Sequence, residues 1–166
     1  MSMFEIVFSP TGGTEKVSGL VTGALDGNIV TVDLSDSGLD FHGVSMAKGD
    51  VAVISVPSYA GRVPAVAVER LGMVRGNGAR AVLVCVYGGR AFEDTLIELE
   101  DVAKRAGFRV VAAVSAIAEH SVARQFAAGR PDAQDVAHLD LVAALVDELY
   151  DVETILRLNN LRHALR

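Results

Sequence analysis

One cysteine, four prolines and no tryptophan are found among the 166 residues of this chain. A single thiol, Cys85, can close no internal disulfide and can hold neither a zinc ion nor an iron–sulfur cluster within one chain, so a structural metal is not expected. Long apolar runs are also missing. The longest, such as Val110 to Val114 and Val63 to Val68, fall far short of the roughly 18 residues that span a bilayer. Met1 to Phe8 carries no basic stretch and no apolar run of signal-peptide length before Pro10. Together these absences predict a soluble, cytoplasmic protein with no membrane association. Basic charge is in deficit: 15 lysines and arginines stand against 21 acidic residues, for a formal net charge of −6. A surface of that sign repels phosphate backbones, and nucleic acid is not expected as a partner.

Apolar residues make up 51% of the chain and charged ones 22%, enough for one well-packed core and too short a chain for two. No repeat, linker or low-complexity block interrupts it. Short apolar runs of strand length alternate with longer segments of helical period. Phe4 to Phe8 reads as a buried strand. Thr14 to Leu25 follows as a helix with Val17, Leu20, Val21 and Leu25 on one face, closed by Gly27. Asn28 to Val32 is a second, shorter strand, and Ser35 to Gly49 reads mostly as loop.

Asp50 to Val56 is a third strand, stopped at Pro57, and Pro64 opens a helix that runs to Val74. Ala79 to Tyr87 is the most strand-like segment and ends in Gly88 and Gly89. A helix over Phe92 to Ala106 and a fifth strand over Arg109 to Ala116 complete the pattern. Near-continuous apolar strands without strict alternation belong to a parallel sheet covered on both faces. The prediction is therefore an α/β protein, a three-layer doubly wound five-stranded parallel sheet. Ligands in that architecture sit beyond the carboxyl ends of the strands, which directs attention to the turns Ser9–Thr14, Pro57–Val63 and Tyr87–Phe92.

The first of these turns combines three hydroxyls, Ser9, Thr11 and Thr14, with the paired glycines Gly12 and Gly13, between a strand and a helix. A helix amino end offers unpaired N–H groups and partial positive charge, so an anion can be held there without lysine. An ordinary turn with Thr14 as helix N-cap accounts for the same composition, and both readings are open at this point. Other phosphate motifs fail on spacing. Gly12, Gly13 and Lys16 do not make a Walker loop, and Gly76-Asn77-Gly78 precedes a strand and lacks the third glycine of a dinucleotide fingerprint. Cys85 falls inside a strand and reads as core, not as a nucleophile in a phosphate loop.

Ser9-x-Thr11-Gly12-x-Thr14 matches the phosphate loop of flavodoxins, and the chain resembles that family. Pro57-Ser58-Tyr59-Ala60-Gly61-Arg62-Val63-Pro64 and Val86-Tyr87-Gly88-Gly89-Arg90 are most similar to the flavodoxin domains of fused flavodoxin-ferredoxin proteins. Glu119-His120-Ser121 and Ala127-Ala128-Gly129-Arg130-Pro131 extend the likeness over roughly residues 3–150. No cluster-binding cysteines follow, which departs from the fused form. The resemblance implies strand order 2-1-3-4-5, a flavodoxin-like domain over residues 1–150 with 151–166 as its helical extension, and FMN as cofactor.

By the same resemblance the flavin ring lies between Tyr59–Arg62 and Tyr87–Arg90, with Tyr59 or Tyr87 stacking on it. Gly61 permits a peptide in the Ala60–Arg62 stretch to turn toward flavin N5, and Gly88 and Gly89 admit backbone N–H groups to the pyrimidine edge. Arg62 and Arg90 depart from the acidic surroundings expected of low-potential flavodoxins. A guanidinium near N1 would stabilise the reduced ring, and Arg62→Ala would then lower the potential. Exposed ion pairing with a helix below, or docking of an anionic donor, is the other use for either arginine.

Glu119, His120 and Arg124 fall near the same rim, with His120 more readily read as a loop residue than as a functional one. From Pro131 onward a helical pattern runs through Val136, Leu139, Val142, Val146 and Leu149 and is too long for the domain, so a break near Asp151 or Asn159 is expected. The leading function is an FMN-binding electron carrier, monomeric or weakly dimeric, served by a redox partner protein or an NAD(P)H reductase. The alternatives are an NAD(P)H-dependent FMN oxidoreductase acting on quinones or similar acceptors, and a module of the same fold that has lost its flavin.

Overall fold

The computed structural model of the chain describes residues 2–23 and 28–150, the side chains of Leu149 and Tyr150 excepted. Strands and helices alternate as β1 (Met3–Val7), α1 (Gly13–Thr22), β2 (Ile29–Asp33), β3 (Val51–Pro57), α2 (Ala65–Met73), β4 (Arg80–Tyr87), α3 (Thr95–Arg105), β5 (Arg109–Ile117) and α4 (Ala133–Tyr150). All neighbouring strands are parallel, in the order β2-β1-β3-β4-β5. That is the doubly wound flavodoxin-like arrangement predicted above. Leu25, Gly27 and the expected extension 151–166 lie outside the described residues.

The central strands explain the three layers. Every residue of β3 is buried, and successive side chains point to opposite faces. Val51 and Val53 join Val82, Val84, Val17 and Val21 in a core completed by Leu139, Ala143 and Val146 of α4. Ala52, Ile54 and Val56 join Leu83, Leu71, Leu99 and Val102 on the other side, under α2 and α3. Val, Ile and Leu on both faces leave no polar side to either strand, which is why they cannot be edges.

Four local features refine the sequence reading. β5 is half-exposed because it forms the sheet edge, and its register with β4 slips between Ala81 and Val82. α3 begins at Thr95 and not at Phe92, because Glu93 takes a left-handed φ of +43° that a helix cannot contain. The segment 35–49 contains a 3₁₀ turn over Phe41–Gly43 whose Phe41, with Met46, is buried against the sheet. α1 buries a hydroxyl stripe as well as its valines. Ser18 Oγ donates to Glu5 Oε1 at 2.6 Å, and Ser55 Oγ donates to Ser18 Oγ at 3.0 Å.

Order in the sheet also locates the site. The chain passes from β1 outward to β2 and then returns to β3 on the other side of β1, so the crossovers leave a crevice at the carboxyl ends of β1 and β3.

Candidate functional site

The turn after β1 is built around Gly12, which caps α1 with φ +83° and ψ −13°. Left-handed backbone costs a residue with a Cβ about 1–2 kcal/mol and glycine nothing, so the cap falls at Gly12 and Thr14 becomes the second, buried residue of the helix. The N-cap alternative for Thr14 is thereby set aside. Ser9 ties the turn down at both ends: its amide donates to Ser35 Oγ at 2.9 Å, and its Oγ accepts from the Glu15 amide at 2.9 Å. Among the described residues, no group accepts from the amides of Thr11, Gly13 or Thr14. A Cβ placed on Gly12 or Gly13 would meet nothing within 4 Å, so the floor of the turn is open.

The second wall follows β3. Ser58 N donates to Val86 O at 2.7 Å, and Ser58 Oγ shares a hydrogen bond with Thr95 Oγ1 at 2.7 Å. Tyr59 and Arg62 then pair across a two-residue hairpin, N to O at 2.9 and 3.1 Å. Its central residues, Ala60 at φ +51° and Gly61 at φ +75°, have the positive φ values of a type I′ turn. Gly61 lies directly over Glu93, whose Cβ would be 2.8 Å from a Cβ at position 61, and Gly61 O accepts from Asp94 N at 3.1 Å. The hairpin thus rests on the turn that delays α3. Tyr59 is 41% exposed, and burial pushes its phenol above the ordinary value.

Arg62 leaves this wall in the other direction. Its Nε and NH2 groups donate to the two carboxylate oxygens of Glu98 at 3.0 and 2.9 Å, and Glu98 Oε2 also accepts from the Val63 amide at 2.8 Å. Hydrogen bonding to Arg62 holds the Glu98 carboxyl below its usual range.

The third wall is Tyr87 to Arg90. Tyr87 packs on Phe92, ring centroids 5.5 Å apart and tilted by 56°. Arg90 is solvent-exposed and pairs with Glu93 at 3.5 Å. Gly88 is required by a close approach: a Cβ there would lie 2.5 Å from His120 Cα and 2.9 Å from Ala118 O. Gly89 faces open space.

That contact belongs to a fourth wall which the sequence reading assigned little weight. Residues 118–123 leave β5 and turn over the cleft, with Ala118 N bonded to Tyr87 O at 2.9 Å. Glu119 Oε1 accepts from Arg124 Nε at 2.7 Å. His120 Nδ1 accepts from the amides of Val122 and Ala123 at 3.2 and 3.0 Å, and its ring meets the edge of Phe126 at 6.5 Å. The Glu119-His120-Ser121 sequence was the available signal, but nothing in it reveals the approach to Gly88.

These walls enclose a cavity of ≈ 400 Å³ that brings together Thr11, Gly13, Thr14, Pro57, Ser58, Tyr59, Ala60, Tyr87, Gly88 and His120. An adjoining cavity of ≈ 440 Å³ adds Gly61, Gly89 and Arg90, and a third of ≈ 270 Å³ adds Gly12, Lys16, Arg124 and Arg130. Ser9 and Arg62 line none of the three. Behind the cleft, burial pushes the Cys85 thiol up to about 12, as expected of a core cysteine.

No family model matches the chain, and no curated protein matches it either. Solved structures do. Flavodoxin 1 from Bacillus cereus aligns over 87% of this chain and 95% of its own, with a TM-score of 0.61 at 14% identity. The two-electron reduced flavodoxin of Megasphaera elsdenii aligns over 86% of this chain and 98% of its own, with a TM-score of 0.58 at 15% identity. An azoreductase from Bacillus anthracis aligns over 89% of this chain and 100% of its own, with a TM-score of 0.59 at 12% identity. The chain has the flavodoxin-like fold, and its cleft opens at the carboxyl edge of that sheet.

Proposed function

We propose that this protein binds FMN in the cleft at the carboxyl edge of its sheet and carries electrons to or from a redox partner. The observation that carries the reading is the convergence of three uncommitted amides, those of Thr11, Gly13 and Thr14, with two tyrosine-bearing loops on one cavity of ≈ 400 Å³. The residues present fit the group. A phosphate monoester suits the helix amino end and the Thr11 hydroxyl, and a flat apolar ring suits the space between Tyr59 and Tyr87. FMN would supply one- and two-electron redox chemistry. The chain's own contribution is to bind the phosphate, to cover the ring, and to offer backbone groups from Ala60–Arg62 and Gly88–Gly89 along its edges.

A second reading, an NAD(P)H-dependent FMN oxidoreductase, draws on the azoreductase likeness and on the adjoining cavity of ≈ 440 Å³ beside Gly61 and Arg90, which is large enough for a second planar ligand. One experiment separates the readings. The protein is purified with excess FMN, its visible absorption is recorded after desalting, and NADH or NADPH is added without oxygen. Retained yellow colour that fades only when a separate reductase is supplied is the expected result. Rapid bleaching by the nucleotide alone favours the oxidoreductase, and a colourless protein with no measurable FMN affinity overturns both.

A further inference from the structure

His120 lines all three adjoining cavities, yet among the described residues only one of its two ring nitrogens has a hydrogen-bond partner. Nδ1 accepts from the Val122 amide at 3.2 Å and the Ala123 amide at 3.0 Å. An N–H donor cannot point at a nitrogen that already carries a proton, so this network assigns the imidazole proton to Nε2. Glu119, the nearest carboxylate in sequence, is occupied by Arg124 Nε at 2.7 Å and by the Gly129 amide at 3.4 Å. No group among the described residues accepts from Nε2. The Phe126 ring at 6.5 Å packs against the imidazole, and the close approach to Gly88 confines the His120 backbone.

We infer that His120 is a preset hydrogen-bond donor whose Nε2–H faces the cleft and favours the reduced, more negatively charged form of a bound flavin ring. The inference rests on the FMN reading. Its physical basis is that a donor fixed in advance costs nothing to orient, and that a hydrogen bond strengthens as its acceptor gains charge. His120 stands beside Gly88, in the loop expected to border the pyrimidine edge, where reduction places negative charge.

Two variants divide the cap from the donor. His120→Asn retains an acceptor where Nδ1 sits, so it keeps the loop bonds and removes only the cleft donor. His120→Gln places an amide N–H near the Nε2 position and removes the acceptor. The readouts are ¹⁵N spectra of the imidazole in ligand-free protein, FMN affinity in both redox states, and amide exchange at Val122 and Ala123. The expected results are a proton on Nε2, unchanged exchange at Val122 and Ala123 in H120N, and a loss of reduced-FMN affinity about tenfold greater than the loss of oxidised-FMN affinity. That ratio corresponds to about 30 mV in the two-electron potential. H120Q should hold the potential near that of the wild type while exchange at Val122 and Ala123 accelerates. A proton on Nδ1, or an unchanged potential in H120N with FMN bound, overturns the inference and leaves the FMN reading intact. Failure of the wild-type protein to bind FMN overturns both.

Discussion

Arg62 and Glu98, 36 residues apart, are joined by two parallel hydrogen bonds of 3.0 and 2.9 Å between guanidinium and carboxylate. The pair ties the Tyr59–Arg62 hairpin to α3, and a third bond from the Val63 amide to Glu98 reinforces the joint. Of the uses open to Arg62 from sequence, the structure realises the ion pair with the helix below.

Arg62→Ala is therefore expected to leave the potential of bound FMN unchanged and to lower the melting temperature slightly, since Arg62 is largely exposed and exposed pairs contribute little. Redox titration and thermal melts of the two proteins check this. A lowered potential would return Arg62 to the neighbourhood of the ring.

Because its hydrogen bond to Arg62 lowers the Glu98 pKa, folding favours the ionised carboxylate. The stabilisation is present above the unfolded value of about 4.5 and is lost as pH falls through the lower folded value. The wild type should exceed Glu98→Gln in stability at pH 7, and the gap should narrow as pH falls below the unfolded value and through the lower folded one, as read by urea melts across that range.

Gly88→Ala forces a Cβ to within 2.5 Å of His120 Cα, whereas Gly89→Ala meets nothing within 4 Å. Gly88→Ala should cost about 1–3 kcal/mol, as overpacking does, and should weaken FMN binding by displacing residues 118–123. Gly89→Ala should be close to neutral in stability. Chemical denaturation and flavin fluorescence distinguish them.

Ser9→Ala removes the acceptor of the Glu15 amide without altering any side chain that lines the cleft. A loss of about 1 kcal/mol is expected, in line with a lost helix cap. FMN affinity should fall more than riboflavin affinity, because the turn that loosens is the one assigned to the phosphate. Equal losses for both ligands would argue against that assignment.

Cys85 is fully buried in β4, and burial pushes its thiol up to about 12. Thiol reagents should fail to label it at pH 8 in the native state and should label it at the rate of unfolding as denaturant is added. Rapid native labelling would mean that β4 opens locally.

The cleft was only partly legible in the sequence. Ser9, Gly12 and Gly13 announce a strand-to-helix turn through local backbone requirements, and Tyr59 and Tyr87 are marked by their position at strand ends. The hairpin at Ala60–Gly61 left a weaker mark, since alanine is an unusual residue at φ +51° and Gly61 alone signals the turn. The left-handed Glu93 that shortens α3 left none: it lies against Gly61 of the hairpin, more than 30 residues away in the chain.

Apolar runs without alternation, separated by helical periods, were sufficient to determine a parallel sheet covered on both faces. Burial of β3 and β4 depends on composition that each strand carries within itself. The partner of Arg62 and the contact between Gly88 and His120 were decided by tertiary structure alone. Each joins segments more than 30 residues apart in the chain, and such encounters leave no period in the sequence because no repeating geometry connects the two sides.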